Sequence, residues 1–379
     1  MEKMLEALFN LRKELHENPE LSYNEFKTTE IILNFIEKYA GDSPFFTLYK
    51  PLQTAVVLRY SNSLDKPYKI FRADMDALPV TECAENEIVS KNQGVMHACG
   101  HDIHITVLCG LIAKIAELKP EKNFLFVFQP AEEGAGGAKK LLSSGFFDKF
   151  EVESAFALHV TDDYKVGEVA SNGDILFAIP REVDIVFKGK SAHAAYSERG
   201  NDALAAAAAF LSSYKNILQK EVKTSENFLA HFGKISSTGA RNIVSEFCKI
   251  EGTLRAFSME IMEKLNEIVK QTATESASKF GCSAEMKALG EYVAVKNSPK
   301  LFELLKKICA ETGVTCFEKK GDLVGEDFGY FTQKWDGLLF WLGTREEGKK
   351  GNSLHSEQFF PSFNAVETAL KIMVRFALS

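Results

Sequence analysis

Hydrophobic positions near the start of the chain recur at helical spacing. Leu5, Leu8, Leu11 and Leu15 predict an amphipathic helix over residues 2–18, and a second helix is predicted over 23–39. Short runs that are apolar at every position come next, as expected of strands buried on both faces of a mostly parallel sheet. They are residues 55–60, 68–71, 124–128 and 155–158, with a helix predicted over 103–117.

The pattern changes after Ile179. Val183, Ile185 and Phe187 alternate with polar residues, which is typical of a sheet with one solvated face. Ser258 is placed to cap a long amphipathic helix. The predicted elements are a first strand over 183–187, a helix over 202–218, strands over 228–236 and 249–257, a helix over 258–280 and a strand over 283–289. Their order, β-α-β-β-α-β, is ferredoxin-like.

The α/β pattern returns from about residue 292. A helix is predicted over 299–312, a strand over 337–343 and a closing helix over 364–377. We therefore predict an α/β catalytic domain with a mixed, mostly parallel sheet, formed by residues 1–179 and 291–379. Residues 180–290 would form an inserted ferredoxin-like α+β domain acting as a lid and dimerisation module.

Composition narrows the possible partners. The 379 residues are 45% hydrophobic and 26% charged, with a net charge of −7, so a globular protein is expected and nucleic acid is not. No apolar run approaches the ~20 residues of a membrane span, and the first six residues carry charges where a signal peptide would be apolar. Seven scattered cysteines without a C-x-x-C pair predict neither a disulfide framework nor a zinc knuckle. We expect a cytoplasmic protein that does not bind membranes.

Residues that suit metals follow several of the apolar runs. Asp74 follows residues 68–71, Glu132 and Glu133 follow 124–128, and His159 follows 155–158. In open α/β sheets ligands bind beyond the carboxyl ends of the strands. The side chains are therefore expected to converge on one crevice.

A cluster of three histidines and a cysteine lies within residues 97–104 (HACGHDIH), just before a predicted helix. Imidazole, thiolate and carboxylate together suit divalent zinc, manganese, cobalt or nickel. Two such ions would activate a water, and a neighbouring carboxylate could take its proton. A thiol hydrolase with Cys99 as nucleophile and a non-catalytic binding protein are the alternatives. From the residues alone, His193 and His355 are expected to be exposed loop histidines.

Seven segments in this order resemble the M20 metallopeptidase family, in its branch of aminoacylases and related amidohydrolases. They are residues 72–79 (RADMDALP), 97–102 (HACGHD), 129–134 (QPAEEG), 157–159 (ALH), 191–195 (SAHAA), 325–328 (GEDF) and 354–355 (LH). The resemblance implies hydrolysis of the amide bond of a small N-acyl amino acid by two divalent metal ions.

The resemblance also implies roles for single residues in the larger domain. Cys99 would bridge the two ions, with Glu133 and His159 completing one of them. The other ion would be held by His101 and His355. Separately, Glu132 would be the general base, and Asp74 or Asp102 would orient the ligand histidines.

In the inserted domain, the resemblance places His193 over the site, often that of the partner subunit, where it stabilises the oxyanion. Asn242 would assist, and Arg255 would clamp a substrate carboxylate. The same domain would form a homodimer. The chain departs from the family after His193, where Ser197 and Glu198 replace a common proline and histidine.

Within the branch, three segments are most similar to N-acetyldiaminopimelate deacetylases. They are residues 176–178, 323–330 and 339–343. The implied reaction is deacetylation of N-acetyl-L,L-diaminopimelate in lysine biosynthesis. Other N-acyl-amino-acid or hippurate-type amidohydrolases, or dipeptidases of the same family, are the alternatives.

Overall fold

The computed structural model describes residues 2–134, 136–222, 227–290 and 292–379, whose contacts divide them into two units. The first comprises the described residues up to Leu176, Val295–Lys320 and Asp327–Ser379. The second comprises those from Phe177 to Ala294, together with Gly321–Glu326. From the sequence we assigned 321–326 to the first domain. They cluster with the second unit, and the Ala178 N–H of that unit donates to the Asp322 carbonyl at 3.0 Å.

A mixed eight-stranded sheet forms the centre of the first unit. Its strands are β1 (Phe46–Tyr49), β2 (Val56–Ser61), β3 (Tyr68–Asp74), β4 (Asn123–Gln129), β5 (Val152–Lys165), β6 (Glu168–Ser171), β15 (Thr315–Glu318) and β16 (Asp336–Arg345). The order is β1-β2-β4-β3-β5-β16-β6-β15, and the central strands β4, β3, β5 and β16 are mutually parallel. This arrangement confirms the mostly parallel sheet expected from the fully apolar runs.

Helices of the first unit bury apolar residues against this sheet. They are α1 (Glu2–Glu17), α2 (Phe26–Ala40), α3 (His101–Leu118), α4 (Gly137–Ser143), α7 (Pro299–Thr312), α8 (Gly329–Lys334) and α9 (Ala365–Leu378). Leu8, Leu11 and Leu15 are buried, as the helical spacing predicted. α3 is buried around almost its whole circumference, which explains its nearly continuous apolar sequence. Short strands β7 (Ile175–Phe177) and β14 (Val295–Lys296) lie where the chain passes between units.

The second unit has the predicted ferredoxin-like arrangement. Its elements are β8 (Ile179–Lys188), β9 (Ala192–His193), α5 (Ala203–Glu221), β10 (Phe228–Ser237), β11 (Ile243–Val244), β12 (Phe247–Ala256), α6 (Met259–Ser278) and β13 (Ser283–Leu289). The antiparallel sheet has the order β10-β12-β8-β13, and β9 and β11 form a separate two-stranded antiparallel sheet. Ser258 caps α6 by accepting from the Ile261 N–H at 3.2 Å, as predicted.

Among the described residues, no helix combines the length and hydropathy that spanning a membrane requires.

Candidate metal centre

The ends of the central strands bring acidic residues to one edge of the sheet. β3 ends at Asp74, and the turn after its parallel neighbour β4 carries Glu132 and Glu133. His159 lies inside β5 rather than just after it, which corrects the shorter strand expected from the sequence. β5 continues to Lys165 because β16 pairs with it along most of its length.

Cys99 lies at the centre of the proposed ligands. Its Sγ is 3.3 Å from Nε2 of His159 and 3.3 Å from Nε2 of His355. Donor atoms of Cys99, His101 and His159 lie within 4.8 Å of one another, as do those of Cys99, Glu133 and His355. The structure therefore brings together the five side chains that we expect to hold the metals, from four separate parts of the sequence.

Glu132 lies beside this cluster and is almost fully buried. Its carboxylate belongs to a third group of close donor atoms, with His101 and Glu133, again within 4.8 Å. The two consecutive glutamates thus share the site, which is the arrangement needed if one holds metal and the other takes a proton.

Backbone carbonyls fix the tautomers of two histidines. Nδ1 of His101 lies 2.8 Å from the carbonyl oxygen of Asp76, and Nδ1 of His159 lies 2.9 Å from that of Val160. Because a carbonyl only accepts, each Nδ1 donates, and in the neutral rings Nε2 carries the lone pair. Orienting a metal-binding imidazole through its other nitrogen is a common feature of metal sites.

His355 reaches the cluster from a loop without regular structure. Its backbone N–H donates to the Ala98 carbonyl at 2.8 Å, next to Cys99, and its φ is 65°. Non-glycine residues seldom adopt this left-handed conformation, and when they do it is often at a functional site. Neither periodicity nor a polar strand end marks this histidine in the sequence, so only the family resemblance could identify it.

The charges of the cluster fit divalent cations. Burial lowers the pKa of His101, but the nearby carboxylates, Asp74 first among them, outweigh it and raise that pKa to about 10. Nε2 of His101 and Oε1 of Glu133 are buried without a hydrogen-bond partner among the described residues. A site for two divalent ions requires excess negative charge, buried ligand atoms without hydrogen-bond partners, and a mixture of thiol, imidazole and carboxylate groups.

Asp74 is held by a buried ion-pair network. Arg72 Nη1 lies 2.7 Å from Asp74 Oδ2, and His104 Nδ1 lies 2.6 Å from Asp74 Oδ1. The Val160 N–H donates to His104 Nε2, so in the neutral ring the proton lies on Nδ1 and is donated to Asp74. Burial acts to raise the pKa of Asp74, but His101, His104 and Arg72 together hold it well below its usual range. Asp74 Oδ2 is 3.7 Å from His101 Nε2, so it lies beside one proposed ligand histidine.

Asp102, our other candidate for orienting a ligand histidine, contacts different residues. Its Oδ2 accepts from Arg12 Nε at 3.0 Å and lies 2.9 Å from His16 Nδ1. Asp102 is on α3 immediately after His101, and successive helical side chains point in different directions. It therefore binds residues of α1, and of the two candidates Asp74 is the one that lies beside a proposed ligand histidine.

Sequence reasoning missed Asp76. Its two carboxylate oxygens accept the backbone N–H groups of Glu132 and Glu133, each at 3.0 Å, and Oδ2 also accepts from Ser22 at 2.7 Å. The carboxylate is fully buried, but the nearby His101, followed by the hydrogen bonds from Ser22 and the Glu133 N–H, outweighs the effect of burial and lowers the pKa of Asp76. Asp76 thus fixes the backbone of both glutamates. Its place two residues after Asp74, just beyond the end of β3, was the available signal.

The second unit holds the other three candidates. His193 and Asn242 are neighbours, because the Ala194 N–H donates to the Asn242 carbonyl at 2.9 Å and β9 pairs with β11. Both residues are exposed. Arg255 lies on β12, half-buried, and its Nη1 donates to the Leu323 carbonyl at 3.1 Å. His193 and Asn242 therefore lie together, whereas Arg255 is on a separate strand.

A family model described as Peptidase family M20/M25/M40 matches residues 70–379. The chain belongs to this family. It is 34% identical to the N-acetyldiaminopimelate deacetylase of Shouchella clausii (strain KSM-K16) over 97% of both chains. The Listeria monocytogenes serovar 1/2a protein of the same name is also 34% identical, over 98% of this chain and 99% of that one. A dinuclear metal-binding M20 peptidase from Bacillus subtilis superposes with a TM-score of 0.84 at 27% identity, covering 100% of this chain and 98% of that one.

Membership of the M20 family confirms that the chain is a hydrolase of amide bonds, as predicted. It also supports divalent metals as cofactors. The thiol-hydrolase alternative loses support from the cluster itself. Burial and the charges of Glu133, Glu132 and Asp74 raise the pKa of Cys99 well above its usual range, whereas a nucleophilic cysteine needs a lowered pKa.

Proposed function

We propose that the protein removes the acetyl group from N-acetyl-L,L-diaminopimelate, releasing acetate and the free diamino acid. The observation that carries this is the convergence of Cys99, His101, Glu133, His159 and His355 beside Glu132. The specific substrate is supported by relatives that carry this name and match over nearly the whole chain.

In this proposal Cys99 would serve both ions, Glu133 and His159 would help to hold one, and His101 and His355 would help to hold the other. When bound, the ions would polarise the amide carbonyl and lower the pKa of the attacking water. The ion types open to the site are zinc, manganese, cobalt and nickel, because the donor set suits all four.

Glu132 acts as the general base. It takes a proton from the attacking water and returns it to the leaving amine as the carbon–nitrogen bond breaks. Its neighbour Glu133 cannot do the same while it serves as a ligand. Burial of the Glu132 carboxylate supports this role, because exclusion of water strengthens its interaction with the proton that it transfers.

His193 stabilises the oxyanion, and Asn242 assists it. The Ala195 N–H donates to Nδ1 of His193 at 3.1 Å. In the neutral ring the proton must then lie on Nε2, which leaves an exposed donor of the kind an oxyanion requires. We also propose that Arg255 binds a substrate carboxylate. Its guanidinium is half-buried and burial lowers its pKa, although its usual value is so high that it stays charged.

We further propose a homodimer formed through the second unit, in a cytoplasmic protein. Leu229 and Ile235 on β10, at an edge of the described sheet, are 37% and 44% exposed. Exposed apolar residues on an edge strand favour pairing with another chain. Light scattering should give twice the chain mass; a monomer at micromolar concentration would contradict this part.

The substrate is tested by comparing acyl amino acids on metal-reconstituted protein. Acetyl, succinyl, benzoyl and aminobenzoyl amino acids are assayed beside N-acetyl-L,L-diaminopimelate, with release of the free diamino acid measured directly. We expect kcat/KM for the acetylated diaminopimelate to exceed the others by at least about tenfold, which is ~1.4 kcal/mol of transition-state binding. A preference for benzoyl substrates would instead indicate a hippurate-type hydrolase.

A further inference from the structure

The turn that carries Glu132 and Glu133 has an unusual backbone. Ala131, between Pro130 and Glu132, is fully buried and has a φ of 58°. A residue with a Cβ rarely adopts this left-handed conformation unless its surroundings impose it. Something other than the local preference of alanine must therefore hold the turn in this shape.

Two buried carboxylates bind three consecutive N–H groups of this turn. Asp76 accepts from Glu132 and Glu133, each at 3.0 Å. The remaining N–H, that of Ala131, donates to Oε1 of Glu25 at 2.9 Å. Pro130 has no N–H to contribute. Each peptide unit from Ala131 to Glu133 is thus oriented by a carboxylate from outside the turn.

Glu25 is fully buried and makes hydrogen bonds to neutral donors. Besides the Ala131 N–H, Oε1 accepts from the Tyr23 N–H at 2.9 Å, and Oε2 accepts from the Thr54 hydroxyl at 2.8 Å. A buried carboxylate is costly to keep in a fold, and burial raises the pKa of Glu25. Such a group calls for an explanation.

Helix capping does not supply that explanation. Glu25 occupies the residue before α2, where a side chain commonly accepts an N–H of the first turn, yet it makes no capping hydrogen bond. The carboxylate of Glu20 performs that task instead, accepting from the N–H of Thr28 at 2.9 Å and from its hydroxyl at 3.0 Å. The side chain of Glu25 is directed to the Ala131 turn.

We propose that Glu25 is a positioning residue for the hydrolysis. It holds the Ala131 peptide unit in the left-handed conformation and thereby aims the carboxylate of Glu132 at the attacking water while Glu133 keeps its place as ligand. This inference rests on the proposed role of Glu132 as general base. Glu25 itself touches neither substrate nor metal.

The test compares three variants of the full chain, each reconstituted with metal. Glu25→Ala removes the acceptor and should lower kcat by about 10- to 100-fold, because displacements of about 1 Å at a reacting group cost this much. KM and the number of bound metal ions should stay as in the wild type. Glu25→Gln should recover kcat to within about threefold, since its amide oxygen can accept from Ala131 while its NH₂ group donates to Thr54.

Glu20→Ala is the matched control. It removes a carboxylate that hydrogen-bonds at the start of the same helix, so it should lower the melting temperature as Glu25→Ala does but leave kcat unchanged. Equal loss of kcat in Glu20→Ala, or an unchanged kcat in Glu25→Ala, would overturn the proposal. So would a Glu25→Gln enzyme as impaired as Glu25→Ala.

A crystallographic measurement separates this proposal from the proposed function. In Glu25→Ala the φ of Ala131 should leave the left-handed region, and the Glu132 carboxylate should move, whereas both should stay in Glu20→Ala. If Ala131 keeps its φ near 58° without Glu25, the positioning role is refuted whatever the substrate. If Glu132→Gln hydrolyses at the wild-type rate, the proposed function fails independently of this structural result.

Discussion

Replacing Arg72 by methionine should destabilise the first unit severely. The guanidinium is fully buried, with Nη1 2.7 Å from Asp74 Oδ2, Nη2 2.8 Å from Asp327 Oδ1 and Nε 2.9 Å from Gln129 Oε1. Methionine has similar length and no charge, so both carboxylates would lose their cationic partner in a site closed to water. Removing one partner of a buried ion pair costs about 3–5 kcal/mol. In a unit of this size that is a fall in melting temperature of about 6–20 °C.

Thermal unfolding followed by circular dichroism measures this effect. Lys371→Met is the control, because its partner Glu367 lies 3.0 Å away on the surface of α9 and the two side chains are 51% and 46% exposed. Such exposed pairs contribute less than about 1 kcal/mol. Arg72→Lys should be intermediate, since an ammonium keeps the charge but cannot serve three acceptors in the same geometry. If Arg72→Met melts within about 2 °C of the wild type, the buried network does not stabilise the unit as we infer.

Three further outcomes follow from the structure. Burial acts to lower the pKa of His16, but the charge of Asp102 and hydrogen bonds outweigh it and raise that pKa. The stability that protonated His16 contributes is therefore present below pH ~6.5 and is lost as the pH rises through its folded-state pKa. The difference in unfolding free energy between the wild type and His16→Gln should accordingly shrink from pH 6 to 9 in urea titrations. Gly137→Ala should impair both metal binding and kcat, because a Cβ there would lie 1.7 Å from the Pro130 carbonyl oxygen and displace the turn that carries Glu132 and Glu133. Titration of bound metal measures the loss of binding, and an unaltered metal content would refute the reasoning. A chelator should abolish hydrolysis until a divalent ion is restored, whereas retained activity in the chelated protein would favour the thiol-hydrolase alternative.

Much of the fold could be predicted because its elements carry strong periodic signals. The fully apolar runs that became β3, β4 and β5 and the alternation in β8 identified two kinds of sheet. Edge strands such as β1, with exposed or half-buried residues at every position, lack such a signal. The length of β5 was missed because its pairing with the distant β16, rather than local pattern, extends it past His159.

The site could be predicted where functional side chains follow a strand, but not where an irregular loop supplies them. Asp74 ends β3 and Glu132 and Glu133 lie in the turn after β4, so their convergence followed from topology. Cys99 comes just before α3 and His101 is the first residue of that helix. His355 comes from an irregular loop, held by one backbone hydrogen bond to Ala98, which no local pattern encodes. Supporting contacts such as those of Glu25 depend on tertiary packing. From the sequence alone, a buried carboxylate such as that of Glu25 looks the same as one that caps a helix. Only the contacts in the structure distinguish them.

The division of labour between Glu132 and Glu133 is the central claim, and a paired measurement of metal content and turnover tests it most directly. Glu132→Gln should keep two bound divalent ions per chain and lose about 10²- to 10⁴-fold in kcat, the usual contribution of a general base. Glu133→Gln, altered at the adjacent residue by the same change, should lose bound metal as well as activity. A Glu132→Gln enzyme that binds both ions and turns over N-acetyl amino acids at nearly the wild-type rate would contradict the account.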